Sequence, residues 1–109
     1  MRNVAVVGYG LSKFGERWEA GLKELVSEAA VAAMNSSSVE LKQIQCLFTG
    51  AMSSGRFANQ EHLGALVADQ LGLTPIPSVR VEAACASGGV AIRQAYLSIA
   101  AGAYDLALV

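Results

Sequence analysis

Val81-Glu82-Ala83-Ala84-Cys85-Ala86-Ser87-Gly88-Gly89-Val90-Ala91 joins a β-rich run, Val79 to Val81, to a long apolar run of helical spacing that begins near Ser87. A single cysteine stands at the junction. The N-terminus of a helix presents backbone N–H groups without intrahelical partners, and their field favours negative charge, hence a thiolate over a thiol. Ala83, Ala84, Ala86, Ser87, Gly88 and Gly89 are all small and leave room for a substrate to approach sulfur. A nucleophilic cysteine needs both conditions. The residues alone also allow a plainer role, in which Cys85 fills a tight strand–helix corner, because free cysteine is among the most buried residue types.

Outward from this junction the chain alternates between strand and helix patterns. The spacing predicts a strand over Asn3 to Tyr9, a helix over Glu19 to Met34, a single helical turn over Val39 to Lys42 and a strand over Gln45 to Thr49. A loop follows from Gly50 to Arg56, then a helix over Gln60 to Leu71 that Gly72 stops. Pro75 and Pro77 mark a second loop, because each lacks an N–H and restrains its predecessor. Ser78 to Ala83 is the next strand, Ser87 to Ala101 the next helix, and Tyr104 to Val109 the last strand. The order β-α-β-α-β-α-β argues for an α/β fold with strands buried on both faces. In the last helix Val90, Ala91, Ile92, Ala95, Tyr96, Leu97, Ile99, Ala100 and Ala101 cover nearly the whole circumference. Such a helix is expected between two layers of a larger protein, and it is too short to span a bilayer.

Composition narrows the function classes. The 109 residues allow one domain, and an apolar fraction of 53% is enough for a sizeable core. A net charge of -1 with no basic block gives no footing for nucleic acid or an anionic membrane. The apolar run Val4 to Val7 is far too short for a signal-peptide core or a membrane span. Cys46 and Cys85 make no metal-ligand spacing and no disulfide framework, which fits a reducing cytoplasm. Cys46 lies inside a strand pattern and reads as core. His62 is the only histidine and is expected one turn into the second long helix, partly exposed. Gly8-Tyr9-Gly10 lacks the third glycine of a dinucleotide fingerprint. Ser12-Lys13-Phe14-Gly15, Arg17 and Trp18 form a long loop near a ligand or a partner subunit. Glu82 is expected to find hydrogen bonds near Cys85, since an unpaired carboxylate beside a buried helix is costly.

The chain resembles a thiolase along its whole length. Val4-Ala5-Val6-Val7-Gly8-Tyr9-Gly10 resembles the first strand of that fold, Asn59-Gln60 the segment ahead of the nucleophile, the Cys85 motif the nucleophile turn, and Tyr104 to Val109 the strand after its helix. Many thiolases carry Asn three residues before the cysteine. Glu82 in that place resembles the archaeal and sterol-carrier-protein-type branch, and an acid there also occurs in ketoacyl synthases, which share the fold. Ser87-Gly88-Gly89 leans toward thiolase.

The resemblance implies a layered α-β-α-β-α architecture, of which residues 1–109 supply part of the N-terminal domain, with the second sheet contributed by the other half of a longer protein. The run Tyr104 to Val109, a strand without a polar exit, agrees with that expectation. It also implies an acyltransferase in which Cys85 is the acyl-thioester nucleophile and its backbone N–H helps hold the oxyanion. The catalytic histidine and second cysteine would come from later loops. Acyl-CoA is the implied substrate, with no tightly bound cofactor. A homodimer is implied, or a tetramer or larger complex, with the Ser78 to Ala83 strand pairing across a two-fold axis near Arg80. Two other readings stand beside it: a ketoacyl-synthase-like condensing enzyme, and a non-catalytic lipid-binding or scaffolding subunit of the same fold.

Overall fold

A computed structural model describes residues 1–73 and 75–109. Its centre is a parallel three-stranded sheet of order β2-β1-β3, where β1 is Cys46–Gly50, β2 is Ser78–Val81 and β3 is Ala107–Leu108. β1 runs beside β2 from the Leu47–Ser78 pair to the Gly50–Val81 pair, and beside β3 through Cys46–Ala107 and Leu47–Leu108. Four α-helices accompany the sheet: α1 (Leu22–Ser36), α2 (Ser54–Ala58), α3 (Leu63–Gln70) and α4 (Ser87–Ala100).

Side chains alternate across a strand, and β1 divides the core accordingly. Leu47 packs with Ile44, Leu63, Val67, Ala68 and Leu73 in one buried cluster, against which Leu22, Val26 and Met34 of α1 also pack. Cys46 is 1% exposed, and Gly50, two pleats along on the same side, meets the first turn of α4. The sheet therefore lies between an α1/α3 layer and α4, which is part of the expected layered α/β architecture. α4 buries Ser87, Ala91 and Ala95 along one stripe, each one turn from the next, while Ile92 and Tyr96 on another stripe remain 58% and 45% exposed. One flank of this all-round apolar helix is thus covered and the other is open.

The predicted helices recur with small shifts of their ends. α1 begins at Leu22 rather than Glu19; Gly21 precedes it, and the Glu24 carboxylate accepts the Gly21 N–H at 2.9 Å, satisfying one of the amides that a helix start leaves free. The predicted turn at Val39 to Lys42 is a single 3-10 turn over Leu41–Gln43. The Gly50 to Arg56 loop contains the start of the short α2, which Asn59 ends in the left-handed region at φ 50°. α3 is shorter than the predicted Gln60 to Leu71, and α4 ends one residue early.

The first predicted strand is corrected. Asn3 to Tyr9 joins no ladder, and Val6 and Val7 are 86% and 55% exposed. The physical reason lies at the sheet's edge: Val7 and Gly8 run near β3, which is only two residues long and offers little ladder to pair with. The segment is instead tied down at its ends. The Arg2 amide donates to the Ala100 carbonyl, and its guanidinium donates to the Ile99 and Tyr104 carbonyls and pairs with Asp105 at 2.6 Å. That cation at the C-terminus of α4 suits the negative end of the helix dipole, and it holds the Asp105 carboxyl below the usual carboxylate range. Farther along, the Tyr9 amide donates to Ser36 Oγ, and Gly10 lies so close to the Ala29 and Ala33 backbone of α1 that no side chain would fit. The last strand shrinks from Tyr104–Val109 to Ala107–Leu108, and the β2 strand ends at Val81 rather than Ala83.

Candidate active site

The parallel strands place their C-terminal ends together, and in open α/β sheets that edge is where ligands bind. Here β2 ends at Val81 and the chain turns into α4 through Glu82 to Ala86. The turn is tight. Ala84 sits in the left-handed region at φ 50°, which costs a residue with a Cβ about 1–2 kcal/mol. Hydrogen bonds inside the turn offset that cost. The Ala86 amide donates to the Ala83 carbonyl at 2.9 Å and the Ser87 amide to the Ala84 carbonyl at 3.1 Å. The Ser87 hydroxyl accepts the Ala83 amide at 2.9 Å and donates to the Ala84 carbonyl at 2.7 Å. The Glu82 carboxylate accepts the Ala84 amide. Glu82 thus finds the hydrogen bond that its position calls for, although its side chain is exposed rather than buried.

Cys85 rides at the top of this turn with its thiol exposed and free. The amides of Ala83, Ala84, Ala86 and Ser87 are all engaged within the turn, and the Cys85 amide lies among them beside its own thiol, with Cys85 in an isolated bridge to Ala83. An N–H so placed can accept charge developing on a carbonyl oxygen attacked by the adjacent sulfur. Gly88 and Gly89, in the first turn of α4, have nothing within 4 Å of where a Cβ would be. Space is therefore open over the first turn of α4, the turn that follows the cysteine.

Two further contacts hold the floor of the site. A Cβ at Gly50 would lie 2.5 Å from the Ser87 carbonyl oxygen and 2.8 Å from the Gly88 amide nitrogen, so only glycine lets α4 start where it does. Arg80 of β2 donates from Nε to the Ala51 carbonyl at 2.9 Å and from its terminal guanidinium to the Met52 carbonyl at 2.7 Å, binding the loop after β1 to the neighbouring strand. Neither role was visible in the pattern of the chain.

The other candidates stand apart from Cys85. Cys46 is buried in β1, and desolvation pushes its thiol pKa up. His62 is exposed and occupies the N-cap position of α3 instead of lying one turn inside that helix. The loop of Lys13, Phe14, Gly15 and Arg17 lines a cavity of about 370 Å³ beside Glu16, Glu19 and Glu28. Arg17 there bonds to Glu19 at 2.9 Å and Glu28 at 2.7 Å, and holds both carboxyls below their usual range. Among the described residues no group of three or more His, Cys, Asp and Glu side chains could hold a metal ion.

Residues 4–109 match the thiolase N-terminal domain. The chain belongs to the thiolase family. It is 51% identical over all 109 residues to an acetyl-CoA acetyltransferase of Methanocaldococcus jannaschii, and spans 28% of that protein's length. It is 45% identical over 108 residues, 99% of the chain, to an acetyl-CoA acetyltransferase of Methanothermobacter thermautotrophicus, again 28% of its length. A benzoylsuccinyl-CoA thiolase subunit, BbsB, of Thauera aromatica is 32% identical over 109 residues, aligning with 98% of the chain and 27% of that subunit. The chain therefore spans less than a third of the curated thiolase relatives it matches.

Within this thiolase domain the two thiols should separate by reactivity. Brief alkylation with iodoacetamide, followed by peptide mapping, should label Cys85 about tenfold or more faster than Cys46, because one thiol is exposed at a helix start and the other is buried. Equal labelling in the folded protein would remove the case for Cys85.

Proposed function

We propose that the full-length protein is a thiolase-type acyltransferase that joins two acetyl-CoA molecules into acetoacetyl-CoA, or cleaves 3-ketoacyl-CoA with CoA, through a thioester on Cys85. The observation that carries this reading is an exposed thiol on a hydrogen-bonded turn ahead of α4, with open space over Gly88 and Gly89, in a chain of the thiolase family. The acetyl donor follows the printed names of the two archaeal relatives. Their similarity supports the archaeal part of the branch assignment, and its sterol-carrier-protein-type part rests on Glu82 three residues before Cys85 alone.

The Cys85 sulfur attacks the thioester carbonyl, and negative charge moves onto oxygen, where the Cys85 amide can receive it. Collapse breaks the carbon–sulfur bond to CoA, which leaves as its thiolate, and an acetyl group remains on Cys85. A second acetyl-CoA then loses an α-proton to a general base. Its carbanion attacks the acetyl carbonyl, and the Cys85 thiolate leaves as acetoacetyl-CoA forms. Cleavage is the reverse. His62, exposed at the start of α3, is not positioned as that base by any contact here, so this reading takes the catalytic histidine and the second cysteine from the rest of the protein. Acyl-CoA is substrate, with no tightly bound cofactor. Two free thiols support a cytoplasmic setting.

Incubation of the full-length protein with labelled acetyl-CoA should leave one acetyl group, mapped to the Cys85 peptide. A folded protein that acquires no label would overturn the reading.

The same proposal includes a homodimer. Among the described residues β2 pairs with β1 alone and so has an open edge, and an open strand edge suits isologous pairing across a two-fold axis. Light scattering should give twice the protomer mass, and a strictly monomeric active enzyme would contradict the assembly.

A further inference from the structure

We propose that Ser87 is a positioning residue, whose buried hydroxyl latches the Cys85 turn in the one conformation that presents the thiol. This rests on Cys85 as the acyl acceptor and adds the device that aims it.

The argument starts from an anomaly in the backbone. Ala84 is one of only two non-glycine positions with positive φ among the described residues, and the other, Asn59, has the side chain that tolerates this region best. Alanine has no such excuse. Something must hold Ala84 there, and it has to act locally, because Ala83 to Ala86 belongs to no strand or helix and carries only the isolated Ala83–Cys85 bridge. The Ser87 hydroxyl is placed to do it. It bonds to the residues on both sides of the left-handed linkage, accepting from the Ala83 amide at 2.9 Å and donating to the Ala84 carbonyl at 2.7 Å. Its donor and one acceptor site are therefore satisfied by the two peptide units that flank the Ala83–Ala84 linkage.

Ser87 itself cannot move to follow the turn. It is 4% exposed, and its carbonyl lies against Gly50, where even a methyl group would be 2.5 Å away. A hydroxyl anchored on a fixed backbone transmits that fixity to the residues it bonds, and Cys85 lies between them and Ser87. Because Ser87 points into the turn, it is not a group that meets substrate. Its influence passes through the orientation of Cys85 Sγ and the Cys85 amide. Glu82 adds a second tie at the Ala84 amide, from an exposed carboxylate that also meets water, whereas the Ser87 hydroxyl is buried.

The test compares Ser87→Ala with wild type in the full-length protein, measuring acetylation of Cys85 by labelled acetyl-CoA per folded active site. Acetylation should slow by about tenfold, the scale of losing hydrogen bonds within one turn, with KM for acetyl-CoA unchanged. Adding Ala84→Gly, which removes the left-handed penalty that the hydroxyl offsets, should restore about threefold or more. A merely structural serine would lower thermal stability and leave the rate per folded site at the wild-type value, and that result would overturn the proposal. Hydrogen exchange on the wild-type protein supplies a readout that needs no variant: the Ala83 amide should exchange slowly, and free exchange there would overturn the latch. A wild-type protein that takes no acetyl group at Cys85 would strike instead at the acyl-transfer reading, while an acetylated wild type matched in rate by Ser87→Ala would sink the Ser87 assignment alone.

Discussion

Replacing Cys85 by alanine in the full-length protein should abolish acyl transfer while leaving the fold intact. The sulfur is the atom that forms the thioester, so its deletion removes the covalent route altogether, and loss of a nucleophile in other enzymes lowers turnover by about four to six orders of magnitude. The structural consequence is small. Cys85 is exposed, so truncation leaves no cavity, and the hydrogen bonds of its turn run through Glu82, Ser87 and backbone groups, none of which the substitution touches. Stability should change by about 0.5 kcal/mol or less. Labelled acetyl-CoA should therefore mark wild type and leave the variant blank, with matching melting curves. Acetylation that persists in Cys85→Ala would move the nucleophile elsewhere in the protein.

That experiment depends on a feature legible in the sequence itself. Cys85 could be placed at a strand-to-helix junction because the β-branched run Val79 to Val81 and the helical spacing after Ser87 are both local signals, and the structure turns the chain between them at that point. The buried face of α3 was legible for the same reason: Leu63 and Val67 recur one turn apart and both enter the core. What escaped was set by partners distant in sequence or by backbone geometry. Val4 to Val7 carries strand propensity, yet a strand exists only beside another, and the edge it runs near, β3, is about a hundred residues farther on and only two residues long. The short α2 hid in Ser53-Ser54-Gly55, a composition that reads as turn. The left-handed Ala84 gave no signal because no glycine marks it, and the grip of Ser87 on it follows only once φ is known. Arg80 has a role in the protomer besides the place near a two-fold axis that the resemblance implies. Its guanidinium holds the Ala51 and Met52 carbonyls within its own chain, which no spacing rule would reveal.

The second large effect is expected from the 109 residues on their own. They should show no detectable thiolysis of acetoacetyl-CoA, although the Cys85 turn is present. Condensation and thiolysis need a proton moved to or from carbon or sulfur, and the absence of a positioned base costs about two to four orders of magnitude. The chain has few groups to supply one. His62 is its only histidine and stands exposed at the α3 N-cap. Cys46 is buried within β1, and Glu82 already holds the Ala84 amide. The isolated chain should also associate. Ile92 and Tyr96 stand open on the outer flank of α4, in line with each other, and Phe14, Phe57 and Trp18 are each more than 80% exposed. Apolar surface of that kind drives self-association and binds hydrophobic dyes. Purified as residues 1–109, the protein should therefore bind such a dye and sediment as a mixture of sizes. Iodoacetamide should still find Cys85, since the turn is held by contacts within these residues. A monodisperse monomer with measurable turnover would show that the chain contains its own base, and would break the assignment of that role to the remainder of the protein.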